Sequence, residues 1–437
     1  MLEKIRKLWK IEDLRKKILY TFFMLVLYRL VSVIPAPGID VSLVYGASNG
    51  ASELPMLDLV NMLTGGAFSQ MTIMAMGISP YINSSIIMQL LCIALPPLER
   101  MQQEEGGREK IARITRYLTV VLAAVQALGL VNTVGLNVYG TSVIIQENHL
   151  WNQILVAVSM AGGSAFAMWI GERITDKGIG NGISLLIFVG IVSNLFNGIV
   201  SSIRSIGVEG TDVTMAIVSA LVIIVLTLLM TVIVTFIDLG ERRIPLQIAK
   251  QVKGRRVYGG QNTHMSLKLI SVGVLPLIFA QSFLSFPGTI AQLVDSQPYG
   301  WFTQFCMDHL VDGKWVYMIL SGLLIVAFTF FYSSISFDAK KQAEQLIQQG
   351  ATIPGQRGKN IEAYLKRTTN RLNLFAALFL AVLAVIPSIL TGKLDIRVPF
   401  AASSILIAVS VALETVRTIK GEMSIRGIET SKDNGFM

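Results

Sequence analysis

Residues Ile73-Met-Ala-Met-Gly-Ile-Ser-Pro-Tyr-Ile-Asn-Ser-Ser-Ile-Ile-Met-Gln-Leu-Leu-Cys-Ile-Ala-Leu95 are long and apolar enough to cross a bilayer, yet they carry Gly77, Ser79, Pro80, Asn83, Ser84, Ser85 and Gln89. A hydrocarbon core about 30 Å thick takes roughly 20 apolar residues as a helix. Polar groups at this density are tolerated in a span only where they face protein or a water-filled cavity. The stretch therefore predicts an irregular membrane helix that turns its polar side inward.

Stretches of similar length recur throughout the chain. Ten spans can be drawn, at 18–34, 73–95, 117–135, 153–171, 183–203, 213–237, 269–289, 315–337, 372–390 and 399–416. Of the 437 residues, 52% are hydrophobic and only 15% are charged, against about a quarter charged in a soluble domain. The mean hydropathy is +0.59. Nothing of soluble-domain size is left between the spans. Lys and Arg number 37 against 28 Asp and Glu, a net charge of +9. Their distribution reads as topology: the segments on alternate sides of the spans hold 32 and 4 basic residues, and Arg29 lies inside the first span. The positive-inside rule then predicts cytoplasmic termini. The basic start is expected to lead into a retained span, since no small-residue cleavage site follows residues 18–34.

The expected fold is an all-α polytopic membrane protein with ten transmembrane helices. Residues 213–237 are apolar all round and read as a lipid-facing or packing helix. The seventh span resembles the second in its irregularity, with Gly273, Pro276, Gln281, Ser282 and Ser285, and Pro276 is expected to remove a helical donor. Irregular members in the second and seventh places suggest two five-helix halves, 1–204 and 205–437, the second inverted, as in many transport proteins. Gly162-Gly163 and Gly190 permit close helix crossings. Residues 55–72 have a helical apolar pattern at Met56, Leu57, Leu59, Val60 and Leu63 and then break at Gly65-Gly66. They are too short to span, and the pattern fits either a re-entrant half-helix or an amphipathic helix on the outer surface.

Catalytic chemistry has no visible place in the chain. His149, His264 and His309 fall between spans at unrelated spacings, and Cys92 and Cys306 form no metal or redox motif. Gly178-Ile-Gly-Asn-Gly182 looks faintly like a phosphate-cradling loop but lacks a preceding strand, so a tight interhelical turn is the better reading. No enzyme, cofactor or metal is expected. The spans hold only Arg29 and Glu414 as ionisable groups. Arg29 can snorkel to the outer interface, and both residues read as structural ion pairs or interfacial anchors. A pathway through this protein carries almost no charge and has no motor of its own.

The remaining polar signal lies in two basic cytoplasmic segments. Residues 238–268 contain Lys250, Lys253, Gly254, Arg255 and Arg256; residues 338–371 contain Lys340, Lys341, Ile353-Pro-Gly355, Arg357, Lys359, Lys366 and Arg367. Topology explains their sign but not their length or their Gly and Pro punctuation. Loops of that kind commonly carry binding, and the arginines suit phosphates or carboxylates. Ribosomal RNA and an acidic protein surface both qualify.

Taken in order, these fragments resemble the SecY/Sec61-alpha family, the central pore subunits of protein translocases such as the bacterial Sec system. The resemblance rests on Ile34-Pro-x-Pro-Gly38, Gly77-Ile-Ser-Pro-Tyr-Ile82, Ile86-Ile-Met-Gln-Leu90, Gly178-Ile-Gly-Asn-Gly-Ile-Ser184, Gly254-Arg-Arg-Val-Tyr-Gly-Gly-Gln261 and Ile353-Pro-Gly-x-Arg357. It implies a clamshell hinged between the fifth and sixth spans, and it identifies residues 55–72, with Leu57, Leu59, Val60, Leu63, Gly65 and Gly66, as a re-entrant plug. Carried over by position, it places an apolar pore ring at Ile82, Ile86, Ile187, Ile191, Ile278 and Ile407. It also implies a lateral gate, for which Ser85, Gln126, Gln281 and Ser282 are candidates. Arg255 and Arg256 would meet a ribosome, and Arg357 both the ribosome and the SecA ATPase. SecE and SecG are the implied membrane partners. Signal sequences and nascent chains are the implied substrates, with membrane lipid at the gate, in a bacterial cytoplasmic membrane.

Beyond Met423 the tail, including Arg426-Gly-Ile-Glu-Thr-Ser-Lys432, matches nothing in that pattern, and residues 39–54 and 291–314 are unassigned. Two other classes compete. A secondary transporter of a small solute needs convergent polar ligands at mid-membrane in place of an apolar ring. A pore-less scaffold or insertase has no use for a plug.

Overall fold

The opening stretch divides in the structure. Residues Ile73–Ile78 are turns, and the helix proper runs over Ser79–Ala94. Gly77 adopts φ +50°, and Pro80 falls in the first helical turn, where its missing N–H costs no intrahelical bond. The expected span therefore starts six residues late. The computed structural model describes residues 11–40, 64–68, 70–139, 149–204, 213–248, 251–253, 256–258, 262–270, 273, 275–294, 301–310, 314–355, 359–394 and 402–425.

In chain order the helices are α1 Glu12–Val31, α2 Ser79–Ala94, α3 Pro96–Gln103, α4 Gly107–Tyr139, α5 His149–Lys177, α6 Gly182–Arg204 and α7 Val213–Asp238. Then follow β1 Glu241–Ile248, β2 Gln251–Lys253, β3 Arg256–Tyr258, β4 Asn262–Lys268, α8 Leu275–Val294 and α9 Trp301–His309. The series closes with α10 Trp315–Ser336, α11 Ala339–Gln348, β5 Ala351–Thr352, α12 Lys359–Leu394 and α13 Ala402–Ile425. Helix overlaps each stretch drawn as a span. Four described helices are long and apolar enough to cross a membrane, and α2 with Pro96–Gln102, bent by 106°, makes up to five if that pair is one broken span. Pro276 sits in the first turn of α8 and so disturbs no interior bond; the proline inside that helix is Pro287.

The chain groups into two compact units, one of Met1–Ala220, Leu284–Asp312 and Val411–Met437, the other of Leu221–Phe283 and Gly313–Ser410. In the first unit α1 buries Leu14, Thr21, Met24 and Tyr28, one stripe at helical spacing. Beyond α1, the Ile34–Gly38 motif pairs with the approach to α2: Ala36 N–H donates to the Met71 carbonyl at 3.1 Å and Ile73 N–H to Ile34 at 3.0 Å. Ala36, Ile39, Phe68, Met71, Ala75, Met76, Ala127, Val156, Ala157 and Met160 form the core around this crossing.

The turn at 178–182 joins α5 to α6. Ile179 N–H donates to Thr21 Oγ1 at 3.1 Å and Gly182 N–H to Thr175 Oγ1 at 2.9 Å. Asn181 Oδ1 caps α6 by accepting from Ile183 and Ser184 at 3.1 and 3.3 Å. The amides of Gly178, Ile179 and Gly182 are thus committed to protein. Leu14, Ile179 and Met423 pack beside the turn, and Lys17 Nζ reaches Glu422 Oε1 at 2.6 Å.

In the second unit the all-α expectation fails. β1 pairs antiparallel with β4 from Glu241↔Lys268 to Gln247↔Asn262 and with β5 at Gln247↔Thr352 and Ile248↔Ala351. Ile244 and Leu246 alternate inward and meet Leu267, Ala343, Leu346, Ala351, Ile353, Ile361 and Leu365. The two long basic segments thus fold as one module. Above it, buried Asn373 on α12 donates to buried Ser333 on α10, and Phe279 on α8 lies 4.7 Å from Tyr332 between ring centroids.

Close backbone approach ties α5 to the entrance of α2. A Cβ on Gly163 would lie 2.1 Å from the Ile73 carbonyl oxygen, whereas one on Gly162 meets nothing within 4 Å. Overpacking costs about 1–3 kcal/mol. Gly163→Ala should lower the thermal midpoint of the purified protein in detergent, while Gly162→Ala should leave it unchanged.

Candidate functional site

The Gly65-Gly66 break is built into the first unit. Gly65 and Gly66 take φ +68° and +90°, a left-handed region closed to most L side chains. Thr64 is buried, its Oγ1 accepts from Phe68 N–H at 3.3 Å, and Thr72 Oγ1 donates to the Ala67 carbonyl at 3.2 Å. Ser164 Oγ on α5 donates to the Gly77 carbonyl at 2.8 Å. Irregular backbone from 64 to 78 is thereby hydrogen-bonded on both flanks.

Two elements press on Gly65. A Cβ there would stand 2.8 Å from Arg29 Nη1, 3.1 Å from the Gly190 carbonyl oxygen and 3.2 Å from the Gly190 Cα. Arg29 Nη1 donates to the Gly65 carbonyl at 3.1 Å. Arg29, expected as a structural ion pair or an interfacial anchor, thus has its guanidinium on the protein's own backbone. Gly190 lies on α6 between Ile187 and Ile191, so the double-glycine segment touches the helix that carries two ring candidates.

Those ring candidates are withdrawn from solvent. Ile82 is 8% exposed, Ile187 4%, Ile191 1%, Ile278 9% and Ile407 2%, and Ile86 is half-buried. Ile82, Ile86, Ile187 and Ile191 belong to the first unit, Ile278 and Ile407 to the second. Each first-unit pair has i, i+4 spacing and shares one helix face. Of the gate candidates, Ser85 accepts from Gln89 Nε2 at 3.4 Å, and Gln126, Gln281 and Ser282 are half-buried. Phe279 and Phe283, on the same helix as the latter two, both lie 6.3 Å from Phe328.

Leu57, Leu59, Val60, Leu63, Arg255 and Arg357 lie outside the described residues. Arg256 opens β3, opposite Lys253 in a two-stranded ladder. Ile353 is buried in the module core just before the segment that carries Arg357. Among the described residues no group of three His, Cys, Asp or Glu side chains could hold a metal ion. Burial raises the Cys306 thiol above its ordinary value, so it stays protonated near neutrality.

The sequence reading missed two features. The β1–β4–β5 sheet was signalled by the alternation Arg243-Ile-Pro-Leu-Gln-Ile248. The Arg29 contact was signalled by an ionisable residue in a span, which is a functional-site hypothesis by default.

Apolar helices, an irregular second helix, buried isoleucines and a folded basic module define a multi-pass helical membrane protein of the channel type. The SecY family model matches residues 72–416. Curated relatives named protein translocase subunit SecY are 38% identical in Corynebacterium glutamicum, covering 95% of this chain and 96% of the relative; 39% in Streptomyces griseus, covering 96% and 97%; and 37% in Rickettsia typhi, covering 93% of each. The chain belongs to the SecY family. Its fold is similar to a solved protein conducting channel, with a TM-score of 0.63 at 21% identity over 96% of this chain and 95% of that one. It is also similar to Sec61 in a canine ribosome–channel complex, at 0.63 and 19% over 96% and 95%.

Proposed function

We propose that this protein is the pore subunit of a Sec translocase, passing unfolded secretory polypeptides across the bacterial cytoplasmic membrane and releasing membrane-protein segments sideways into the bilayer. Ten spans in two inverted halves, with both termini in the cytoplasm, surround the path. The observation that carries this reading is the set of buried, uncharged isoleucines at ring positions on four helices of a SecY-family chain. A narrow ring of branched apolar side chains offers water and ions no partners and resists their passage by dewetting. It also grips no particular sequence, as a carrier of varied polypeptides requires. Residues 55–72 form the plug over this ring, and Ser85, Gln126, Gln281 and Ser282 line the seam through which signal sequences leave.

A chain whose drawn spans hold a single carboxylate, Glu414 near a span end, has no evident motor of its own and needs external drive. The basic module supplies the dock: Arg255 and Arg256 meet ribosomal RNA, and Arg357 meets the ribosome and the SecA ATPase, charge-assisted contacts suited to phosphate and carboxylate. A channel structure with this fold is held by a ribosome in the canine complex. SecE and SecG accompany the subunit in the membrane. The solute-transporter reading has no support, since the relatives matched are translocase subunits.

Replacing Ile187 and Ile191 together by Asn should raise the resting ion conductance of the channel complex in planar bilayers about tenfold or more, because polar side chains let the constriction wet. An unchanged conductance would argue against the ring. Arg357→Glu should abolish most protein transport into membrane vesicles while the complex still co-purifies intact. Wild-type transport by that variant would remove Arg357 from the dock.

A further inference from the structure

We infer that Arg29 is the positioning residue that latches the sealing segment of the pore, by holding the carbonyl of Gly65, the residue that packs on the ring-bearing helix at Gly190; this rests on the reading of residues 55–72 as the plug. Arg29 is the single charge in the first span and lies in the last turn of α1. Its guanidinium is aimed by a closed local circuit. Ser32 Oγ donates to the Arg29 carbonyl at 2.7 Å and accepts from Arg29 Nη1 at 3.3 Å, and Ser32 is buried. The same Nη1 then reaches the Gly65 carbonyl at 3.1 Å. The two N–H groups of Nη1 serve both acceptors, held in the fixed plane of the guanidinium where a lysine ammonium would rotate freely.

Gly65 also packs closely on Gly190. A side chain at 65 would collide with Nη1 at 2.8 Å and with the Gly190 carbonyl oxygen at 3.1 Å. Gly65 therefore packs against both the Arg29 guanidinium and the helix that presents Ile187 and Ile191. The bond is charge-assisted and so strong for a single hydrogen bond, yet it binds a backbone carbonyl and carries no second charge. Rotation about the two left-handed glycines releases it without leaving a buried carboxylate behind. Such a contact holds a resting state and yields on opening, whereas an anchor for α1 alone would have no reason to reach residue 65.

The test uses the assembled channel in inverted membrane vesicles with two cargoes, a secretory protein with its signal sequence and the same protein without it. Arg29→Met should pass the signal-less cargo about tenfold faster than wild type, the scale expected for loss of one charge-assisted hydrogen bond. It should keep transport of the intact cargo within about twofold, and Arg29→Lys should fall between the two. Gly65→Ala, which keeps the arginine but displaces the carbonyl, should also lose stringency and serves if Arg29→Met fails to accumulate. Wild-type stringency in a folded Arg29→Met or Gly65→Ala channel overturns the latch. So does an equal loss of both cargoes that Arg29→Lys leaves uncorrected, since that marks a purely structural role. If the Ile187/Ile191 double Asn variant proves as ion-tight as wild type, the sealing-ring reading itself fails and the latch falls with it; if that variant leaks while Arg29→Met stays stringent, only the latch falls.

Discussion

A protein made of apolar helices has no water to spare for irregular backbone, and the rest of this structure follows from how residues 64–78 meet that constraint. An unpaired backbone group out of water costs several kcal/mol. Here the irregular segment is met by α1 through Arg29, by the Ile34–Ala36 stretch through two backbone bonds and by α5 through Ser164. The segment is therefore a fixed part of the first unit and delivers the polar second helix in a set orientation. Hydrogen bonds to charged groups contribute about 1.5–3 kcal/mol each, so the Arg29 contact ranks among the stronger single ties on it.

The same economy explains why the chain separates its two kinds of chemistry. The spans are nearly free of charge, as the proposed channel requires, since a fixed charge at its constriction would admit ions and retain oppositely charged cargo. The basic residues collect instead on a module that folds from two distant segments. Its sheet joins β1 to β5 across more than a hundred residues, and its core packs β1, β4, β5, α11 and the start of α12 together. Binding residues on loops gain precision when a rigid element carries them.

Much of this was legible in the residues. Apolar length located the helices, and the 32-to-4 charge alternation carries the proposed topology. The start of α2 was misplaced because apolar content cannot distinguish turn from helix; Gly77 and Pro80 mark the true boundary. The sheet was overlooked because a basic segment between spans reads as a loop, although its period-two alternation was present. The proposed ring positions could not be derived from the spans alone, since isoleucine is the usual residue of a packing helix; only the order of motifs singled them out. Arg29 was misread for a different reason. Its acceptor is a backbone carbonyl 36 residues away, and no side-chain motif encodes a carbonyl.

The central claim is that polypeptide passes the buried isoleucine face of α6. It is tested most directly by a photo-crosslinking residue placed at Ile191 or at its neighbour Val192, which is 44% exposed, in channels holding a stalled secretory chain. The account predicts crosslinks to the chain from position 191 and to lipid from position 192. Equal labelling of the chain from both positions, or none from 191, would contradict it.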